Sequence, residues 1–366
     1  MAKVQFKNRE VEFMAEGGDA LVMAALDKLK RRDSEAKETV LATPKQQPKG
    51  MEWDVVAIYD EAGIPSIMHR FRRVTNKELF GGSDTPHPAF VIGGEVYDEI
   101  YISVYQNCEI NGKPYSLPHM KPWTGITLDE AEKACFAKGE GWHLLTGAEW
   151  GLLANISAAN GTLPHGNTSC GKYHGDESEK GETYDGYRTL TGTGPKTWTH
   201  NHQVDGVHDL CGNVWEWLRG IRVKDGRLEA AKNNDGAAPI DLSEGSGAWH
   251  SVTDDNGADI SFDCEDGIRI CTDDPDEHEG NYSGNRWADV ETDCVSEELK
   301  ALGFWPGDPE NYLFIDSTEG EWAFYAGGYY SVGSFAGVFY LSGSNARSYS
   351  SAFIGFRSAY FVKAAH

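Results

Sequence analysis

Along residues 51–117 the apolar positions come in short runs: Trp53-Asp54-Val55-Val56-Ala57-Ile58-Tyr59, Phe90-Val91-Ile92 and Glu99-Ile100-Tyr101-Ile102-Ser103-Val104-Tyr105, with Gly and Pro between them. Short runs rich in β-branched and aromatic residues predict strands. Two helices are expected next. Thr127-Leu128-Asp129-Glu130 and Thr146-Gly147-Ala148-Glu149 both read T-x-x-E. In that arrangement the Thr oxygen accepts from a first-turn N–H and the Glu reaches back to the cap. Ala131, Ala134 and Cys135 then line the first helix, and Trp150, Leu152 and Leu153 the second.

Before residue 51 the pattern changes. Residues 19–40 set Leu21, Ala25, Leu26 and Leu29 on one side, among Lys28, Lys30, Arg31 and Arg32, as a helix with one narrow apolar stripe does. Thr43-Pro44-Lys45-Gln46-Gln47-Pro48-Lys49-Gly50 follows with a linker composition. Periodicity leaves two uses open: an arm docking on a neighbouring subunit or larger assembly, and a helix packed on its own domain. Beyond Gly161 helical periodicity fades and Gly, Asn, Asp, Ser and aromatics take over, which predicts loops pinned by a modest sheet. Helices early and short strands late predict an α+β fold. The expected division is a helical arm and linker over 1–50, a small β-rich region over 51–117, and the main domain over 118–366.

The C-terminal pattern is the most unusual. Phe339 and Leu341, then Ile354 and Phe356, alternate as core-facing strand positions, while Tyr340, Ser342 and Ser344, and Tyr349, Ser351 and Phe353, occupy the alternate positions. Tyr, Ser, Gly and Phe fill seventeen of the twenty-five places from Tyr329 to Phe353, and Arg347 is the only charge there. One reading is a core hairpin with a polar outer face. The other is an outward contact surface, because aromatics interleaved with Ser and Gly give rigid contact area and adaptable hydrogen bonding.

Composition narrows the partners. A net charge of -24 repels phosphate backbones and anionic headgroups, so neither nucleic acid nor membrane is expected as a partner. Sixteen acidic residues face only Arg269 and Arg286 between Asp254 and Glu298. That run reads as a solvated loop surface, with a calcium-binding loop as the sharper alternative. No apolar stretch is long enough to span a bilayer, and the N-terminus lacks a signal-peptide core. Cytoplasmic synthesis and reduced thiols are therefore expected for the seven scattered cysteines.

Asp209-Leu210-Cys211-Gly212-Asn213-Val214-Trp215-Glu216-Trp217 is the most specific string. It resembles the G-N-V-W-E-W signature of the formylglycine-generating-enzyme (sulfatase-modifying factor) superfamily, a C-type-lectin-like fold. Other parts match in order: Thr127 to Cys135, Leu144-Leu145-Thr146 to Glu149-Trp150, Gly327-Gly328, and the closing Gly355-Phe356-Arg357. The resemblance covers residues 118–361 and implies an insertion at 221–311. It also implies a test for enzyme chemistry. The family's oxidase uses cysteines between the G-G strand and G-F-R, whereas no cysteine follows Cys294 here. The iron-dependent relatives use histidines, and His200 and His202 form an H-x-H with His208 nearby, but spacing places no third ligand. No catalytic residue, metal or other cofactor is expected, with a metal-dependent oxidase as the alternative.

The C-terminal segment further resembles the variable protein of a diversity-generating retroelement, in which adenine-directed mutagenesis rewrites the end of such a domain. The frame runs Gly333-Ser334-Phe335-Ala336-Gly337-Val338-Phe339, then Leu341, Ala346-Arg347-Ser348, Ser350 and Ile354-Gly355-Phe356-Arg357. The resemblance implies a variable region at 325–357. Its diversified, ligand-binding positions would be Tyr325, Tyr329, Tyr330, Ser331, Val332, Phe335, Tyr340, Ser342, Ser344, Tyr349, Ser351, Ala352 and Phe353. Randomising the first two bases of an Asn codon never yields Lys, Glu, Gln, Met or Trp, and none of these occurs from Tyr325 to Phe353. The implied function is non-enzymatic binding of a protein or glycan, by a phage tail receptor binder or bacterial display protein. A homo-oligomer or a larger phage assembly is the implied setting, and a structural virion protein is a further alternative.

Overall fold

The computed structural model describes residues 2–7, 10–15, 38–42, 53–294 and 296–363. The chain is mostly strand with few helices, and its largest sheet curls around an aromatic core. Both T-x-x-E motifs start helices. Leu128–Phe136 is capped by Thr127 and Glu130, and Gly147–Asn160 by Thr146 and Glu149, each as a complete capping box. No helix among the described residues is long and apolar enough to cross a membrane.

Six strands form one antiparallel sheet, in the order Trp142–Leu144, Ser358–Tyr360, Glu99–Ser103, Pro65–Arg72, Trp53–Tyr59 and Glu38–Ala42. Two sequence expectations change here. The helix read over residues 19–40 ends in a strand, Glu38–Ala42, because pairing with Trp53–Tyr59 satisfies the backbone of its β-branched Thr39 and Val40. The positions of Leu21, Ala25, Leu26 and Leu29 lie outside the described residues. The β-rich region at 51–117 also does not stand apart, since Ala359 pairs with Ile102 and the sheet runs across position 118.

The second sheet has eleven strands where a modest one was expected. Its path runs Tyr282–Arg286, Tyr312–Asp316, Gly337–Asn345, Glu321–Gly327, Trp215–Lys224, Arg227–Ala231, Ser261–Asp263, Arg269–Cys271 and Glu291–Thr292. Trp249–Ser251 and Ile354–Gly355 attach beside it. The stretch at 221–311 therefore contributes strands to this sheet, although most of its residues lie in the turns and loops between them. Its strands are short and separated by turns, so hydrophobic periodicity hardly registers them.

Between the two sheets Trp150, Phe324, Phe339, Leu341 and Phe361 pack into the main core. Indole N–H groups pin the C-terminal strand from this side: Trp150 Nε1 donates to Val338 O at 2.7 Å and Trp287 Nε1 to Phe339 O at 2.8 Å. Five of the seven cysteines are buried and all are free thiols. Burial pushes the Cys108 thiol up to about 12, which suits a small core residue rather than a nucleophile.

Candidate binding surface

The turn at residues 209–213 organises the surface. Asp209, Gly212 and Asn213 all adopt positive φ (60°, 73° and 62°). A Cβ at Gly212 would lie 2.1 Å from Asn167 O, so only Gly fits there. Gly212 N then donates to Gly327 O, and Asn213 O accepts from Tyr330 N at 3.2 Å. The Asn213 side chain receives Thr189 N and donates to Gln106 Oε1. Glu216, on the strand leaving this turn, takes Arg357 Nε and Nη2 at 2.9 and 2.8 Å, with both residues buried. Such a pair is strongly destabilising to break, because the remaining charge stays buried. The G-N-V-W-E-W string and the closing G-F-R are thus one assembly.

Two loops rest on this frame, and both are held through their backbone. In the first, Tyr330 O accepts from Cys170 N at 2.7 Å and Gly333 N donates to Thr168 O at 3.0 Å. In the second, Arg347 O accepts from Leu128 N, Ser351 O from Gly125 N and Phe353 O from Trp215 N, at 3.2, 2.9 and 2.9 Å. Ala352 O accepts from Arg188 Nη1. Two side chains add to this: Arg347 donates to Asp129 Oδ1 and Leu242 O at 2.8 Å each, and Ser351 Oγ accepts from Phe353 N at 3.5 Å. Backbone hydrogen bonds to the framework thus carry most of the loops' fixing, while Tyr329, Val332 and Phe353 also pack on the aromatic cluster beneath.

The predicted positions divide into three groups. Ser331, Phe335, Tyr349 and Ala352 are exposed, while Tyr329, Tyr330, Val332, Ser344, Ser351 and Phe353 are half-buried. Tyr325, Tyr340 and Ser342 are buried, at 6%, 4% and 2% exposure, which corrects their reading as outward contact residues. Their strands lie inside the sheet, and the face opposite the main core is itself covered. Tyr340 meets the Trp215 ring edge-on at 4.4 Å and Tyr325 meets it at 4.8 Å. Ser342 Oγ bonds Ser344 Oγ at 2.8 Å, and Ser344 bonds the Tyr325 hydroxyl at 3.1 Å. These residues form the floor on which the surface rests.

Above the floor, Tyr329 stacks on Phe353 at 4.9 Å and meets Tyr330 at 5.3 Å. Four residues outside the C-terminal segment join them: Tyr187 beside Tyr330 at 5.6 Å, Tyr312 against Phe335 at 3.9 Å, and Phe314 with Tyr282. Sequence reasoning missed these four. The alternation of Tyr312 and Phe314 was a usable signal for one shared face, but nothing local tied it to the C-terminal strand.

The alternative chemistries can be placed as well. His200 Nδ1 accepts from Val207 N, and His202 Nε2 lies 3.0 Å from Leu163 O, so the H-x-H pair is engaged with backbone. Burial holds His208 down to about 4. In the acidic run, Asp263, Asp273 and Asp293 converge on the Arg269 guanidinium at 2.7–3.0 Å, where a cation would otherwise sit. No group of three or more His, Cys, Asp or Glu among the described residues is placed to hold a metal ion.

The family model for the sulfatase-modifying factor enzyme 1-like domain matches residues 74–253. The match begins well before residue 118 and ends short of the C-terminal segment. No curated protein matches the chain.

Proposed function

We propose that the chain is a non-enzymatic ligand- or receptor-binding protein on a C-type-lectin-like scaffold, with a C-terminal surface diversified by a retroelement. The observation that carries this reading is how the two loops are held. Framework groups meet their backbone atoms, from Cys170 N on Tyr330 O to Trp215 N on Phe353 O. Side chains at Tyr329, Tyr330, Ser331, Val332, Phe335, Tyr349, Ser351, Ala352 and Phe353 can then change while the loops keep their path. A surface fixed in advance loses less entropy on binding, and display in several copies adds avidity. A phage tail or cell-surface assembly provides such display. The buried floor residues Tyr325, Tyr340 and Ser342 belong to the scaffold under this proposal, even where their codons are open to diversification.

Sequencing the gene and its neighbouring DNA across a grown population tests this. The expected result is a near-copy of the segment encoding residues 325–357 beside a reverse transcriptase gene. It should differ at adenines, with substitutions concentrated at the loop codons. Absence of any such copy, together with stoichiometric copper or iron in the purified protein, would overturn the proposal in favour of an oxidase.

A further inference from the structure

The aromatic face does not end at the C-terminal segment. At the edge of the second sheet, Tyr282–Arg286 pairs antiparallel with Tyr312–Asp316, setting Gly284 opposite Phe314 and Arg286 opposite Tyr312. Directly opposed residues share a face, so Tyr282, Tyr312 and Phe314 lie on one side. Tyr282 stacks on Phe314 and Phe314 on Tyr312, each at 5.7 Å. Gly284 makes room for this ladder, since a Cβ there would come within 2.0 Å of the Phe314 ring.

Tyr312–Asp316 reaches the C-terminal strand through parallel pairing, with Phe314 opposite Ser342. The rings then continue without a break. Phe314 is 6.1 Å from Tyr340, Tyr340 is 4.4 Å from Trp215, and Trp215 is 6.4 Å from Tyr329. Tyr330 and Tyr187 complete the row at steps of 5.3 and 5.6 Å. Its two ends are its most exposed members, Tyr282 and Tyr187 at 55% each. Tyr340 and Trp215 are buried in the middle of the row, so its accessible rings form two patches, Tyr282 with Phe314 and Tyr312, and Tyr329 with Tyr330 and Tyr187; spanning both takes a partner of protein size, covering about 800 Å².

Charge narrows the partner further. Both arginines of the acidic run are occupied: Arg269 by Asp263, Asp273 and Asp293, and Arg286 by Asp289 and Glu310. The edge at Tyr282 is left negative. Glu277 and Glu279 are exposed on the approach to Tyr282, and Asp316 pairs across from it.

We propose that the edge strand pair Tyr282–Arg286 and Tyr312–Asp316 is the constant half of the binding surface, and that its partner is a protein with an apolar centre and basic residues where it meets Tyr282. This rests on the reading of the C-terminal loops as a replaceable binding surface. The loops set which partner is chosen. The edge strand pair supplies aromatic contact that does not change between variants, and its acidic margin speeds encounter with basic surfaces.

The test uses the full chain displayed on yeast, with the nine loop positions named above randomised. Binders are selected against egg-white lysozyme, which is basic, and separately against α-lactalbumin, which has the same fold and is acidic. Lysozyme binders should be recovered more often and should weaken with added salt. They should lose about tenfold or more in affinity on Tyr282→Ser, as truncation of an aromatic anchor does, and recover it with Tyr282→Phe. Tyr282 is mostly exposed, so an unchanged melting curve will show that Tyr282→Ser still folds. Lysozyme binders that stay within about twofold on Tyr282→Ser overturn the constant-half role. Equal recovery of α-lactalbumin binders overturns the charge preference. A library that yields no binder to either probe overturns the underlying reading of the loops instead.

Discussion

Replacing Tyr340 with Ala separates the floor of the surface from its rim. Tyr340 is 4% exposed and meets Trp215 edge-on at 4.4 Å, with Phe314 and Tyr312 at 6.1 and 6.2 Å. Truncating a buried aromatic to Ala costs about 3–5 kcal/mol from lost transfer energy and the cavity left behind. An edge-to-face pair adds about 0.5–1.5 kcal/mol. Exposed hydroxyl-side solvation in the unfolded chain offsets part of this, so a loss of about 3–4 kcal/mol is expected. Tyr349→Ala is the matched control, because that ring is 37% exposed and rests on a loop held by its backbone; it should change stability by about 0.5 kcal/mol or less. Urea unfolding followed by tryptophan fluorescence gives both values from the midpoints at constant slope. A Tyr340→Ala loss below about 1 kcal/mol would refute the placement of this ring in the floor. It would return Tyr340 to the outward positions that alternation alone suggests.

Two pH-dependent effects follow from buried bases. His87 is held down to about 3 by burial, and its Nδ1 accepts from Ala89 N. The unfolded chain takes up that proton below pH 6.5 while the folded chain does not. Stability should therefore fall by about 1.4 kcal/mol per pH unit from 6.5 towards 4.5 on account of this residue, and urea midpoints should show a shallower fall for His87→Gln. Lys138 is lowered to about 7, again chiefly by burial, with its ammonium bonded to Ser66 Oγ at 2.7 Å and 3.4 Å over the Trp142 ring. Between pH 7 and 10.5 the unfolded chain holds this proton and the folded chain has lost it, so stability contributed by Lys138 rises with pH across that window. The difference between wild type and Lys138→Met should grow by about 2–3 kcal/mol from pH 7 to 9 in favour of wild type, and a constant difference would refute the burial of that amine.

Features encoded over a few neighbouring residues were legible. The Thr and Glu of each capping box lie three residues apart, and both helices begin where that spacing puts them. Gly212 and Asn213 are residue types that tolerate positive φ, and both adopt it in the turn. Gly337 to Leu341 read as strand, and its core side, Phe339 and Leu341, is buried. The end of the N-terminal helix pattern was misread because Thr39 and Val40 obey a strand pairing partner that no local periodicity reveals.

The sequence by itself determined where helices start, which turn needs Gly, and that Tyr340 and Ser342 share one face of a strand. Whether that face meets solvent was decided only by the tertiary structure. Alternation fixes which side chains point together, because the strand repeat is a local backbone property. What covers them depends on contacts between distant segments, here Trp215 and the edge-strand residues Tyr312 and Phe314 brought alongside by parallel pairing. The same long-range pairing turned a short Tyr/Ser-rich segment into one part of a longer aromatic face.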